Sequence, residues 1–175
     1  EHQDSREENT RLFHQMAQKA VDTDPENPDA MSSLSMSYSI KKDLNKRLET
    51  AEKALELNPS HPRSNFSYGQ ALTNFGRNEE ALSYVKKAIE LDPQSKRNYE
   101  GFFPLLYIAL KDWENAITWL NTAHERSPHS RYFGWKAAVY GKMNDLESAK
   151  ENLNSFLKER PEIKTLEDYE KVAPT

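Results

Sequence analysis

The sequence contains no cysteine, so disulfides, thiol catalysis and cysteine-held metal centres are excluded, and no redox compartment is implied. No apolar run approaches the roughly 20 residues a membrane-spanning helix needs, so no membrane segment is expected. An excess of basic charge is lacking too. Against 28 Asp and Glu stand 24 Lys and Arg, a formal net charge of −4 without the footprint of a nucleic-acid binder. The histidines (His2, His14, His61, His124 and His129) fall in no HExxH or paired-ligand spacing. There is no phosphate-binding glycine loop, dinucleotide fingerprint or Gly-x-Ser-x-Gly elbow. We therefore expect no catalytic centre, metal or cofactor in these 175 residues. The chain opens at Glu1, not at a methionine, and no signal peptide or transit segment is expected within it.

What the sequence does have is a period. Prolines at 25, 59, 93, 128 and 161 close the similar segments VDTDP, LELNP, IELDP, HERSP and LKERP at intervals of 34, 34, 35 and 33 residues. Such a period marks a stacked repeat array, which usually serves as a surface for other proteins. In the unit beginning at Pro62, the small residues Gly69, Ala81 and Ala88 let two helix backbones approach closely, and Gly76 supplies a left-handed residue to end the first helix. Tyr68, Leu72, Leu82 and Leu91 recur at helical steps around them. Each unit therefore reads as a helical hairpin, helix A then helix B. Proline closes it because the residue before proline is pushed out of the helical region.

These landmarks resemble the tetratricopeptide repeat, most specifically in YGQALTNFGRNEEALSYVKKAIELDP. The resemblance implies an all-α, α–α superhelix of about four hairpins, flanked by an extra N-terminal helix and a short C-terminal capping helix. The expected organisation is a lone helix B at 1–27, repeats at 28–61, 62–95, 96–130 and 131–163, and a cap at 164–175. Departures are visible: Arg47 stands where Ala is usual, Lys42 replaces the turn glycine, and Phe156 replaces an Ala. The third unit carries one extra residue, in or before helix A. Pro104 there leaves two options: a helix starting near Phe103 with the proline in its first turn, or a kinked helix. Either would bend or widen the array locally.

At the ends, Ala17, Ala20 and Pro25 match a helix B, at roughly Ser5–Asp22, whose helix A is missing, so the chain is expected to continue upstream. Thr165 to Asp168 form a capping-box pattern that would start a final helix running through Val172. The apolar residues Leu12, Phe13 and Met16 suggest a homodimer through the truncated first repeat.

The resemblance places helices A on the concave side, and their free face gives the candidate binding residues. These are Arg63, Phe66, Gln70 and Asn74 in the second unit, Phe102 and Leu105 in the third, and Arg131 and Trp135 in the fourth. Aromatics and arginine are enriched at interface hot spots. In one reading Phe66, Phe102 and Trp135 floor a groove for a peptide or partner helix, with Arg63 and Arg131 holding carboxylates. In the other, the three rings pack between neighbouring repeats. The two-carboxylate clamp of chaperone-tail binders is missing, with Ser32, Met36 and Ser67 at its places. The expected function is a non-catalytic, cytoplasmic protein-interaction module. The alternative is the C-terminal regulatory domain of a larger signalling enzyme, because SFLKERPEIKTLEDYEKVAPT resembles the close of repeat arrays on bacterial adenylate or guanylate cyclases.

Overall fold

The computed structural model describes residues 2–165 and Asp168. The described residues form helices joined by short turns, with no strand among them: α1 (His2–Thr23), α2 (Pro28–Ile40), α3 (Leu44–Leu57), α4 (Pro62–Thr73), α5 (Asn78–Leu91), α6 (Lys96–Glu100), α7 (Phe103–Ala109), α8 (Trp113–Arg126), α9 (Ser130–Lys142) and α10 (Leu146–Glu159). A short 3₁₀ turn, Pro93–Ser95, precedes α6. The chain divides into two compact units, Glu1–Glu100 and Gly101–Thr175.

The closing prolines act as the sequence predicts. Asn58, Asp92, Ser127 and Arg160, each directly before one of them, end α3, α5, α8 and α10 with ψ between 63° and 95°. Turns between helix A and helix B share one backbone. Lys42, Gly76, Lys111 and Asn144 take φ of 60°, 71°, 59° and 61°. The next amide donates back to a carbonyl five residues earlier: Asp43 to Tyr38, Arg77 to Leu72, Asp112 to Tyr107 and Asp145 to Tyr140, at 3.0–3.2 Å. Three of these next residues then cap helix B, because the Asp43, Asp112 and Asp145 carboxylates accept the amides of Lys46, Asn115 and Ser148. The second hairpin inverts the arrangement. It has the glycine but no capping side chain, and Arg77 instead pairs with Glu80 at 2.7 Å.

In the first unit the close approach is real. A Cβ on Gly69 would lie 3.0 Å from the Ala81 carbonyl oxygen and 3.1 Å from Val85 Cγ2. In the same unit Ala51, Ala54, Ala71, Ala81 and Ala88 are fully buried, with Leu72 and Val85. Ala17 and Val21 of α1 pack with Ala30 and Leu34 of α2. The buried hydroxyls of α2 are satisfied locally: Ser32 and Ser37 donate to the Pro28 and Leu34 carbonyls, and Ser35 to that of Arg47. Asn65 is fully buried, and its amide nitrogen donates to the carbonyls of Pro59 and His61.

In the second unit, α7 starts at Phe103 with Pro104 in its first turn, where a missing N–H costs nothing. Of the two options for Pro104, this is the first. Ala116, Leu120, Tyr132 and Val139 form one cluster. Phe156, which takes the place of a usual alanine, lies 3.4 Å from where a Cβ on Gly134 would stand, so a large residue faces a small one. At the C-terminal end, Asp168 Oδ2 accepts the Thr165 amide at 3.0 Å while Thr165 Oγ1 accepts the Asp168 amide at 3.2 Å, a capping box. The rest of the expected final helix, through Val172, lies outside the described residues.

Candidate functional site

On α4, Arg63 is already engaged within its unit. Its guanidinium reaches Asp29 Oδ1 at 3.5 Å and donates to Ser33 Oγ at 3.0 Å, both on α2. The same carboxylate lies 3.4 Å from His61 Nε2. His61 caps α4 through Nδ1, which accepts the Ser64 amide, so its neutral ring carries the proton on Nε2 and points it at Asp29. His129 caps α9 in the same way, accepting the Arg131 amide at 3.1 Å. Phe66 is half-buried and lies against Tyr99, with ring centroids 4.9 Å apart. Gln70 is half-buried. Asn74 is exposed, and its Oδ1 accepts a 2.7 Å bond from Arg47 Nη1. Arg47 thus fills a small-residue position by running its chain outward to Asn74, and desolvation along that path lowers its pKa.

Sequence reasoning missed a second pair of residues in this unit. Met36 and Ile40 of α2 stand 34 residues before Gln70 and Asn74, at the same repeat positions, and are 41% and 49% exposed. The signal was present, since the period that selected Gln70 and Asn74 selects them as well.

In the second unit, Phe102 is half-buried at the N-cap of α7, and its carbonyl accepts the Leu106 amide at 3.1 Å. Its neighbour Phe103 is the core ring, buried against Trp119 at 4.6 Å. Leu105 is 45% exposed. Trp135 is half-buried, packed on the Ala116–Leu120–Tyr132–Val139 cluster and edge-on to Tyr132 at 5.9 Å. Arg131 is exposed and spreads over the two rings, 5.1 Å from Tyr132 and 6.0 Å from Trp135. Among the described residues no carboxylate lies in salt-bridge range of Arg131, in contrast to Arg63. Trp135 also walls an apolar groove of about 490 Å³ with Gly134, Ala138, Leu153, Phe156 and Leu157.

No group of three or more His, Cys, Asp or Glu among the described residues stands close enough to hold a metal ion. No helix among them is long and apolar enough to cross a membrane.

Family models described as tetratricopeptide repeat match residues 28–61 and 48–96. No curated protein matches the sequence. Solved structures are similar along most of the chain. The type IV pilus biogenesis factor PilW superposes with a TM-score of 0.75 at 21% identity, over 94% of this chain and 76% of its own. TTC0263, a thermophilic repeat protein of Thermus thermophilus, gives 0.67 at 19% identity, over 97% and 91%. YrrB, described as a repeat protein with an unusual peptide-binding site, gives 0.65 at 20% identity, over 90% and 81%. Hairpins with a shared left-handed turn, proline-closed and stacked on small residues, define the all-α repeat class. Within that class, residues 28–96 of the chain are tetratricopeptide repeats.

Proposed function

We propose that the chain is a protein-interaction module that binds a peptide or a partner helix on the free faces of its helices A. The carrying observation is the Arg131–Trp135 pair on α9. It places an exposed cation, with no carboxylate of the described chain in range, across the faces of two rings, an arrangement suited to an acidic or C-terminal carboxylate group beside an apolar side chain. Phe102 and Leu105 supply further apolar contact in the same unit. In the other unit Phe66, Gln70 and Asn74 offer a second contact surface, on which Arg63 serves to orient α4 against Asp29. The peptide-binding description of YrrB supports the reading by likeness of fold.

The test is selection of peptides from a displayed random library on the full chain, followed by titration of a selected peptide. Trp135→Ala and Arg131→Ala should each weaken it by about tenfold or more. The melting temperature should move little for Arg131→Ala. Selected peptides that bind both variants as tightly as the parent chain would refute the reading. A large melting loss for Trp135→Ala or Phe102→Ala would assign those rings to the core.

Two finer settings go with this proposal. Leu12 and Met16 on α1 are exposed and Phe13 is half-buried, which favours self-association there. Light scattering over a concentration series tests it. Attachment to a nucleotide cyclase rests on the C-terminal sequence alone, and the reading frame upstream of Glu1 tests it.

A further inference from the structure

One position in the fourth hairpin breaks the pattern of the other three. Leu34, Tyr68 and Phe103 each stand eight residues before the left-handed turn residue of their hairpin, and each is no more than 6% exposed. The residue so placed in the fourth hairpin is Lys136, on α9. An ammonium drawn into such a position is costly unless an anion or a dense set of acceptors compensates it. Here the compensation is slight. Its Nζ donates to Asn121 Oδ1 at 3.3 Å and lies 4.9 Å from the Phe133 ring centroid, and no carboxylate among the described residues is in salt-bridge range. Desolvation alone acts on the amine, and it lowers the pKa.

A second exchange accompanies it. His124 on α8 holds the place of Leu55 in α3 and Ile89 in α5, thirteen residues after the left-handed residue. Its ring centroid lies 4.6 Å from that of Phe133, and its Nδ1 is buried without a hydrogen-bond partner. An orphaned lone pair costs less than an orphaned N–H, so the proton of the neutral ring stays on Nε2, which has no acceptor among the described residues. Two apolar positions where α8 meets α9 have thus become polar together, and what they offer is all donor. Two N–H groups of Lys136, both of the Asn121 amide and the Nε2–H of His124 are unused, beside one positive charge and no acid. We infer that this cluster binds a phosphate monoester through its phosphoryl oxygens. A tetrahedral group with three terminal oxygens can use single donors arriving from three side chains, whereas a carboxylate is best met by a planar fork such as that of arginine. Lys136 leaves α9 about 140° round the helix axis from Arg131, so the site is separate from the proposed peptide surface and does not rest on it.

The experiment titrates the full, ¹⁵N-labelled chain with inorganic phosphate, with a pentapeptide of phosphoserine between pairs of alanines, and with acetate as the carboxylate control. Phosphate or the phosphopeptide should shift the amide resonances of Asn121, His124 and Lys136 saturably, with a dissociation constant of about 5 mM or tighter, and acetate should bind at least about tenfold more weakly. A phosphopeptide at least about fivefold tighter than phosphate assigns a protein-borne group; otherwise the ligand is a free phosphorylated compound. Lys136→Leu and His124→Leu copy Leu34 and Leu55 of the first hairpin, so each should keep or raise the melting temperature. Binding should nevertheless weaken at least about tenfold in the first and about threefold in the second. Arg131→Ala should leave it unchanged. No saturable shift, equal binding of acetate, or binding retained in Lys136→Leu would overturn the inference. So would a Lys136→Leu chain melting more than about 4 °C below the parent, which would give the lysine a structural role instead.

Discussion

Replacing glycine by alanine at Gly69, Gly76 and Gly141 adds the same methyl group three times and should have different consequences. At Gly76 and Gly141 the new Cβ would meet no atom within 4 Å, so packing contributes nothing in either case. Gly141 is helical, and alanine there should stabilise by about 0.5–1 kcal/mol through lost unfolded-state freedom. Gly76 sits at φ 71°. An L side chain there costs about 1–2 kcal/mol, partly offset by the same entropy gain, so a net loss of about 1 kcal/mol is expected. At Gly69 the methyl would lie 3.0 Å from the Ala81 carbonyl oxygen, and a backbone atom cannot step aside as a side-chain tip can. The loss should reach about 1–3 kcal/mol. Urea unfolding provides the assay, with one convenience. Trp113, Trp119 and Trp135 all lie in the Gly101–Thr175 unit, so tryptophan fluorescence reads Gly141→Ala, and far-UV circular dichroism reads the other two. If Gly76→Ala and Gly141→Ala shift the midpoint in the same direction, the account of the turn fails, because only backbone conformation separates the two sites.

The converse changes, Lys42→Gly and Lys111→Gly, should each stabilise by about 0.5–1 kcal/mol in the same assay, while Asn144→Gly should do little, since asparagine tolerates the left-handed region. Asp112→Ala and Asp145→Ala remove helix caps and should each lower stability by about 1 kcal/mol. Burial, together with Lys41 and Lys46, holds His14 below its ordinary pKa of 6.5 as its Nδ1 meets Ser37 Oγ at 2.8 Å. Its contribution is therefore whole above that value and lost as pH falls through it towards the lower folded value. Thermal melts from about pH 8 to 5 should show a steeper decline in the parent than in His14→Gln. The Asp145 carboxyl is held below its ordinary value by the Ser148 hydroxyl and amide, so a further loss, missing in Asp145→Ala, should appear on acidification below about pH 4.

The hairpins were legible because proline and small residues act through the backbone, which leaves little choice. The left-handed turn was legible only at Gly76. Lys42 and Lys111 adopt it because the returning hydrogen bonds and the helix that follows impose it, and nothing in lysine announces that. The two histidine caps were missed because imidazole is an uncommon capping group, and the sequence marked both only as histidines outside any metal-ligand spacing. The candidate site was less legible than the fold. Phe102 was read as a candidate from its place in the third unit, whereas the ring buried at the start of α7 is its neighbour Phe103, which nothing in the sequence pattern singled out as core. Arg63 and Arg131 looked alike from their positions. They differ because the residue 34 places before Arg63 is an aspartate on the adjoining helix A, a complementarity that the period had already exposed.

The shared turn leaves the chain no slack. Its left-handed residue terminates one helix, and the very next residue begins the other, so a single insertion between them would strip hydrogen bonds from both ends together. Growth of a repeat must therefore be absorbed elsewhere. The surplus residue of the third hairpin shows where: its turn at Lys111–Asp112 is unaltered, while the helix ahead is severed between Glu100 and Phe103. Natural or engineered length changes in this protein should accordingly be accepted at Gly101–Phe102 and rejected at the four tight corners.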